Sequence, residues 1–149
     1  MIDQLGQVFS SLLAHEVRYV TIGGIAAILH GVPRTTFDLD ILIEATPENA
    51  SRLLRALLDA GLGTASLIGP DELLKQVIVV FNDRVRVDVQ TSTPGLIFSE
   101  AWKRRQTVEH REGKIIIVCR QDLIASKRAA GRPIDLDDVR MLEAGGQTP

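Results

Sequence analysis

Residues 37–43 read Phe37-Asp38-Leu39-Asp40-Ile41-Leu42-Ile43, two carboxylates threaded through an apolar run. The period is that of a β-strand, with Leu39, Ile41 and Ile43 on one side and Asp38, Asp40 and Leu42 on the other. Acids two residues apart on one strand face lie about 6 to 7 Å apart along the backbone, and their tips can come closer. Like charges about 4 Å apart repel by about 4 kcal/mol at an effective dielectric near 20. That is a large fraction of the stability of a small domain, so the pair is either solvated or matched to a cation. Mg²⁺ suits the second case, because it binds through a few carboxylates and phosphate oxygens and keeps several waters.

The segments on either side predict alternating helices and strands. Ile2, Leu5, Phe9, Leu12 and Leu13 recur at helical spacing up to His15, and residues 18–22 form a short run of β-formers. Gly23-Gly24 then makes a turn into a compact apolar helix over residues 25–30. After the acidic strand, Thr46 caps a helix that opens with Pro47 and Glu48, buries Ala50, Leu53, Leu54, Leu57 and Leu58, and stops at Gly61. A short helix over residues 71–75 precedes a hairpin of residues 77–81 and 84–90 about Asn82-Asp83. Further helices are expected over 98–105, 121–130 and 135–142, and a strand over 114–119. The result is one domain over residues 1–144 with a frayed tail over 145–149, built as a mixed α/β (α+β) sheet flanked by helices.

The hairpin's second strand puts Arg84, Arg86, Asp88 and Gln90 on a polar face. Asp88 supplies a third carboxylate if that strand lies beside the Asp38 strand. Otherwise it pairs with Arg86 or Arg84 across the sheet surface. Gly23-Gly24 is either a plain tight turn or a place where backbone N–H groups approach an anion at a helix start. Arg34 stands just before the acidic strand, where it reaches a bound anion or neutralises Asp38. His15, His30 and His110 lack zinc-ligand spacing, and His30 is expected near any pocket behind its helix. Lys103-Arg104-Arg105 beside Trp102 fits either RNA contact or a solvated helix face.

The 149 residues carry a net charge of −2, which argues against coating nucleic acid by bulk positive charge while leaving a local basic patch open. A single cysteine, Cys119, ends an apolar run and is expected to be a buried thiol in a reducing compartment, hence the cytoplasm. The start shows no basic segment followed by an apolar run, and no stretch reaches the roughly 18 apolar residues of a membrane span.

Gly23-Gly24, the helix after it, Arg34-Thr35-Thr36-Phe37-Asp38-Leu39-Asp40-Ile41 and Val87-Asp88-Val89 together resemble the nucleotidyltransferase superfamily, in particular its minimal and AbiE-toxin-like (AbiEii-type) members. The stretch from Asp122 to Asp138, with Lys127 and Arg132-Pro133-Ile134-Asp135, looks like the closing helices of AbiE-like members. The resemblance implies the DNA polymerase beta-like nucleotidyltransferase fold. It implies that Asp38, Asp40 and Asp88 bind Mg²⁺ (or Mn²⁺) and are the catalytic acids, with Asp88 helping to deprotonate the acceptor. Gly23, Gly24, Arg34 and Lys127 would contact a nucleoside triphosphate, although many superfamily members carry Gly-Ser where this chain has Gly23-Gly24. The alternative for Lys127 is a surface lysine paired with a neighbouring acid.

The implied activity transfers a nucleoside monophosphate to a hydroxyl of RNA (tRNA included) or of a cognate partner protein, in a toxin–antitoxin or phage-defence setting. Two other readings stand beside it: nucleotidylation of a lincosamide-type antibiotic, and a non-catalytic nucleotide-binding module of the same fold.

Overall fold

The computed structural model describes residues 2–111 and 113–145. Six strands form one mixed sheet: β1 (Tyr19–Ile22), β2 (Asp38–Ile43), β3 (Ile78–Asn82), β4 (Arg86–Gln90), β5 (Gln106–His110) and β6 (Gly113–Ile117). Their spatial order is β3-β4-β2-β1-β6-β5. β2 runs antiparallel to β1 and parallel to β4, while β6 runs parallel to β1. The two hairpins, β3/β4 and β5/β6, therefore sit at opposite edges of the sheet.

Helices cover both faces. α1 (Gly6–Ala14), α3 (Pro47–Asp59) and α4 (Pro70–Leu74) bury Val8, Phe9, Leu12, Leu53, Leu57 and Leu73 against Leu39, Ile41, Ile43, Val87 and Val89. α2 (Gly23–Leu29), α5 (Phe98–Lys103), α6 (Arg120–Ala130) and α7 (Pro133–Gly145) form a second core around Val20, Ile22, Leu42 and Val118. Leu42, on the same side of β2 as the two acids, is buried in this second core. The acid-bearing face of β2 is thus covered at its far end and open only where Asp38 and Asp40 stand.

Several elements differ from the sequence reading. The first segment is a 3-10 turn (Ile2–Leu5) followed by α1, and α7 starts at Pro133 and includes Gly145, so the last helix is not short. Residues 146–149 of the expected tail lie outside the described residues. Strand β5 was not expected, because Gln106-Thr107-Val108-Glu109-His110 is mostly polar and pairs at a sheet edge, where period alone gives little signal.

The hairpin turn also lies later than Asn82-Asp83. Arg84 leaves the sheet so that its guanidinium donates to the Ala60 carbonyl (2.6 Å) and Gln7 Oε1 (2.9 Å). Cys119 is half-buried rather than buried, since its Sγ faces the start of α6 and accepts the Asp122 N–H at 3.4 Å. No helix of the described residues is long and apolar enough to cross a membrane.

Thr46 caps α3 as expected, accepting the Asn49 N–H at 3.2 Å, with Pro47 in the first turn. The buried Asn49 side chain ties that helix to the sheet. Its Oδ1 accepts the Arg18 N–H (2.8 Å), and its Nδ2 donates to the Arg18 and Glu44 carbonyls (both 2.9 Å). The entry to β1 and the exit of β2 are joined through this one side chain. Asn49→Ala removes three hydrogen bonds and strands the Arg18 N–H, while the Arg18 and Glu44 carbonyls keep the Glu44 and Thr46 N–H groups, and is expected to cost about 2–3 kcal/mol. For a chain of this size that lowers the thermal midpoint by about 5–10 °C, a shift that calorimetry reads directly.

Candidate active site

The parallel pairing of β2 with β4 sets Asp40 opposite Asp88 and Asp38 opposite Arg86. Register partners on adjacent strands point to the same face, so all three carboxylates share one side of the sheet. They open into a cleft of about 530 Å³ whose walls include Gly23, Gly24, Arg34, Arg86, Lys127 and Arg132. Every residue singled out from the sequence for metal or nucleotide contact lines this one cleft. The His30 ring does not. Its Nε2 lies 2.8 Å from the Val118 carbonyl, an acceptor only, so that nitrogen carries the proton and packs the end of α2 against the strand.

Crowding of the acids is visible in Asp40. Burial, then repulsion from Asp88 and Asp38, then a hydrogen bond with Asp88 push its pKa up to about 7, against the pull of Arg86. Gly23, with φ +68, closes the cleft behind it, and a Cβ there would overlap Asp40 Oδ2. Both the left-handed backbone and the close approach require glycine. Gly24 meets Thr36 in the same way: a Cβ would stand 3.0 Å from Thr36 Cγ2 and 3.3 Å from its Oγ1.

The donor set is all hard oxygen, on neighbouring strands, with repulsion that a cation would relieve, and it fits Mg²⁺ or Mn²⁺ in chemistry. As they stand, no three acidic, histidine or cysteine side chains among the described residues are gathered closely enough to enclose a metal ion. Arg86 takes part of the space. Its Nε donates to Asp88 Oδ1 at 2.9 Å, its Nη2 lies 3.3 Å from Asp88 Oδ2, and its Nε is 3.8 Å from Asp38 Oδ2.

The opposite wall is a charge network. Lys127, only 4% exposed, sets Nζ 2.7 Å from Asp138 Oδ2 and 3.7 Å from Asp135 Oδ1. Arg34 donates to the same Asp138 Oδ2 at 2.7 Å, and Arg132 grips Asp135 through Nε (2.7 Å) and Nη2 (3.2 Å). Burial pushes the Asp135 carboxyl up, but Arg132 and Lys127 outweigh it and hold the group below the usual carboxylate range.

Over residues 2–145 the sequence matches the family described as "nucleotidyltransferase of unknown function (DUF6036)". The chain belongs to this nucleotidyltransferase family. A crystal structure from Thermotoga maritima, described as a "putative nucleotidyltransferase (TM1012)", shares its fold with a TM-score of 0.53. It covers 96% of this chain and 88% of that one at 16% identity. No curated protein matches the chain in sequence.

Within this nucleotidyltransferase fold, two placements read from the sequence change. Lys127 is neither a surface lysine nor a free cation, because two buried aspartates hold its ammonium. Arg34 pairs with Asp138 from α7 instead of Asp38, a contact across 104 residues that no local pattern announces. The basic run that closes α5 stays on the surface, the solvated-face alternative: Arg104 makes two 3.0 Å bonds to Asp122, and Arg105 lies over the Trp102 ring at 3.8 Å. Arg86 pairs with Asp88 on the strand face, one of the two partners the alternation offered. The Arg-x-Asp spacing on one strand face was the available signal.

Asp40 also predicts a pH effect in the metal-free nucleotidyltransferase. Between about pH 4 and 7 the folded protein keeps a proton that the unfolded chain has released, so stability falls as pH rises through that window. Above it this group's penalty is constant. Asp40→Asn should remove the slope and raise the thermal midpoint at pH 8 above wild type. A wild-type midpoint that does not decline from pH 5 to 8 relative to Asp40→Asn contradicts the crowding.

Proposed function

We propose that this cleft transfers a nucleoside monophosphate from a nucleoside triphosphate to a hydroxyl acceptor in a Mg²⁺- or Mn²⁺-dependent reaction. The observation that carries the reading is the Asp40–Asp88 register pair beside Asp38, facing the Gly23-Gly24 turn. Asp38, Asp40 and Asp88 would hold the metal, which supplies positive charge to the transferring phosphate and leaving pyrophosphate and lowers the acceptor's pKa.

The chain's own residues do the remaining work. Gly23 and Gly24 line the cleft where the phosphates would lie, and the lack of a Cβ at each makes room for Asp40 and Thr36 beside them. Arg34 and Arg132 face the cleft from the opposite wall and suit the outer phosphates. Lys127 acts through Asp138 and Asp135, holding Arg34 and Arg132 in place and thereby orienting the triphosphate. Asp88, on the side of β4 next to the open edge strand β3, accepts the hydroxyl proton as the acceptor oxygen attacks the α-phosphate.

A polyanionic acceptor needs cations to spare. Arg34, Arg86, Lys127 and Arg132 are each matched by a carboxylate among the described residues. Beside Asp88 and Gln90 stand Val80 and Ile78, both exposed and uncharged, in register on β3. This surface favours a hydroxyl presented by a cognate partner protein over one on RNA. A cytoplasmic toxin–antitoxin or phage-defence role, with AbiEii-type kinship, is the biological setting we propose from the sequence resemblance.

The test uses labelled ATP, CTP, GTP and UTP with Mg²⁺, offered separately to total RNA, to a co-expressed neighbour protein and to a lincosamide. Transfer should go to the protein and fall on the order of 100-fold or more in Asp40→Asn and in Asp88→Asn, each of which removes one charge at nearly constant shape. Full transfer by both variants would falsify the assignment of these acids.

A further inference from the structure

The acids and Arg86 occupy the same few ångströms, and this crowding bears on how the proposed metal site assembles. Arg86 and Asp88 are two residues apart on β4 and point to one face, and the guanidinium fork covers both oxygens of Asp88 at 2.9 and 3.3 Å. The same Nε reaches toward Asp38 at 3.8 Å. No three ligands among the described residues are gathered around one point. The Arg86 side chain is 43% exposed, while that of Asp88 is 16% exposed, so the cation can swing into the cleft without disturbing the core. An arginine held bidentate on a carboxylate can exchange that partner for phosphate, which presents the same paired oxygens.

Resting on the transferase reading above, we propose that Arg86 is a latch: it neutralises the acids in the resting protein and must leave Asp88 before the metal site is complete. The guanidinium then passes to a phosphate oxygen of the incoming triphosphate. One side chain thereby couples the two binding events. A divalent ion arriving alone has to expel Arg86 into solvent, whereas an ion arriving with triphosphate finds the guanidinium a new partner. Binding of each therefore favours the other, by the same factor in both directions. Arg86 is a positioning residue in this scheme, and it keeps the crowded carboxylates compatible with folding when no metal is bound.

Latch and ordinary structural support predict opposite signs. If Arg86 merely props Asp88 in place, Arg86→Gln weakens metal binding. If it is a latch, Arg86→Gln binds Mn²⁺ alone about tenfold more tightly than wild type. Titration calorimetry with Mn²⁺, with and without inorganic tripolyphosphate, reads both the affinity and the coupling. Wild-type Mn²⁺ affinity should rise on adding tripolyphosphate, and that rise should shrink about tenfold in Arg86→Gln.

Arg86→Lys keeps the charge without the fork and should fall between the two. It carries the comparison if Arg86→Gln lacks the wild-type circular dichroism spectrum. Equal or weaker Mn²⁺ binding by the folded variant, or coupling undiminished by the substitution, overturns the latch. Mn²⁺ affinity unchanged in Asp40→Asn would instead place the ion elsewhere and remove the transferase reading on which the latch rests.

Discussion

The pairing of β2 with β4 is the constraint from which the cleft follows. Two parallel strands placed about 4.8 Å apart bring register partners onto one face, and here the partners are Asp40 with Asp88 and Asp38 with Arg86. A slip of one residue would turn Asp88 into the core and Val87 or Val89 out of it. Burial of Val87 and Val89 against Leu39, Ile41 and Ile43 therefore does more than stabilise the sheet. It fixes the acids opposite one another despite their repulsion. The hydrophobic face sets the geometry, and the polar face accepts the electrostatic cost.

That cost is distributed over two cation systems. Arg86 sits directly on Asp88 and near Asp38, while Asp40 keeps a raised proton affinity. Across the cleft, Lys127 binds two buried aspartates of α7, which in turn hold Arg34 and Arg132. Lys127, Asp135 and Asp138 are buried, so an unpaired charge among them would be expensive, and the network fixes how α6, α7 and the loop before β2 meet. Gly23 completes the arrangement by leaving room for Asp40 where any side chain would overlap it.

Much of this was legible from local pattern. The alternation in residues 37–43 placed the strand and its two acids, and Thr46-Pro47-Glu48 placed the start of α3. Strand β5 escaped because a polar edge strand has little hydrophobic period, and the hairpin turn moved because Arg84 finds carbonyl partners on neighbouring segments. Asn49 carried no motif at all. Its importance comes from three bonds to backbone groups far from it or outside its own helix.

By itself the sequence determined the order of the helices and of every strand except β5, the side of each strand on which Asp38, Asp40 and Asp88 stand, and the glycine pair that opens α2. Periodicity and capping are local physics, readable within a few residues. Only the tertiary structure decided that β4 lies beside β2, that Lys127 is enclosed by Asp135 and Asp138, and that Arg34 belongs to Asp138. These outcomes depend on which surfaces bury one another and on charge partners up to 104 residues apart, and no local period encodes such distances.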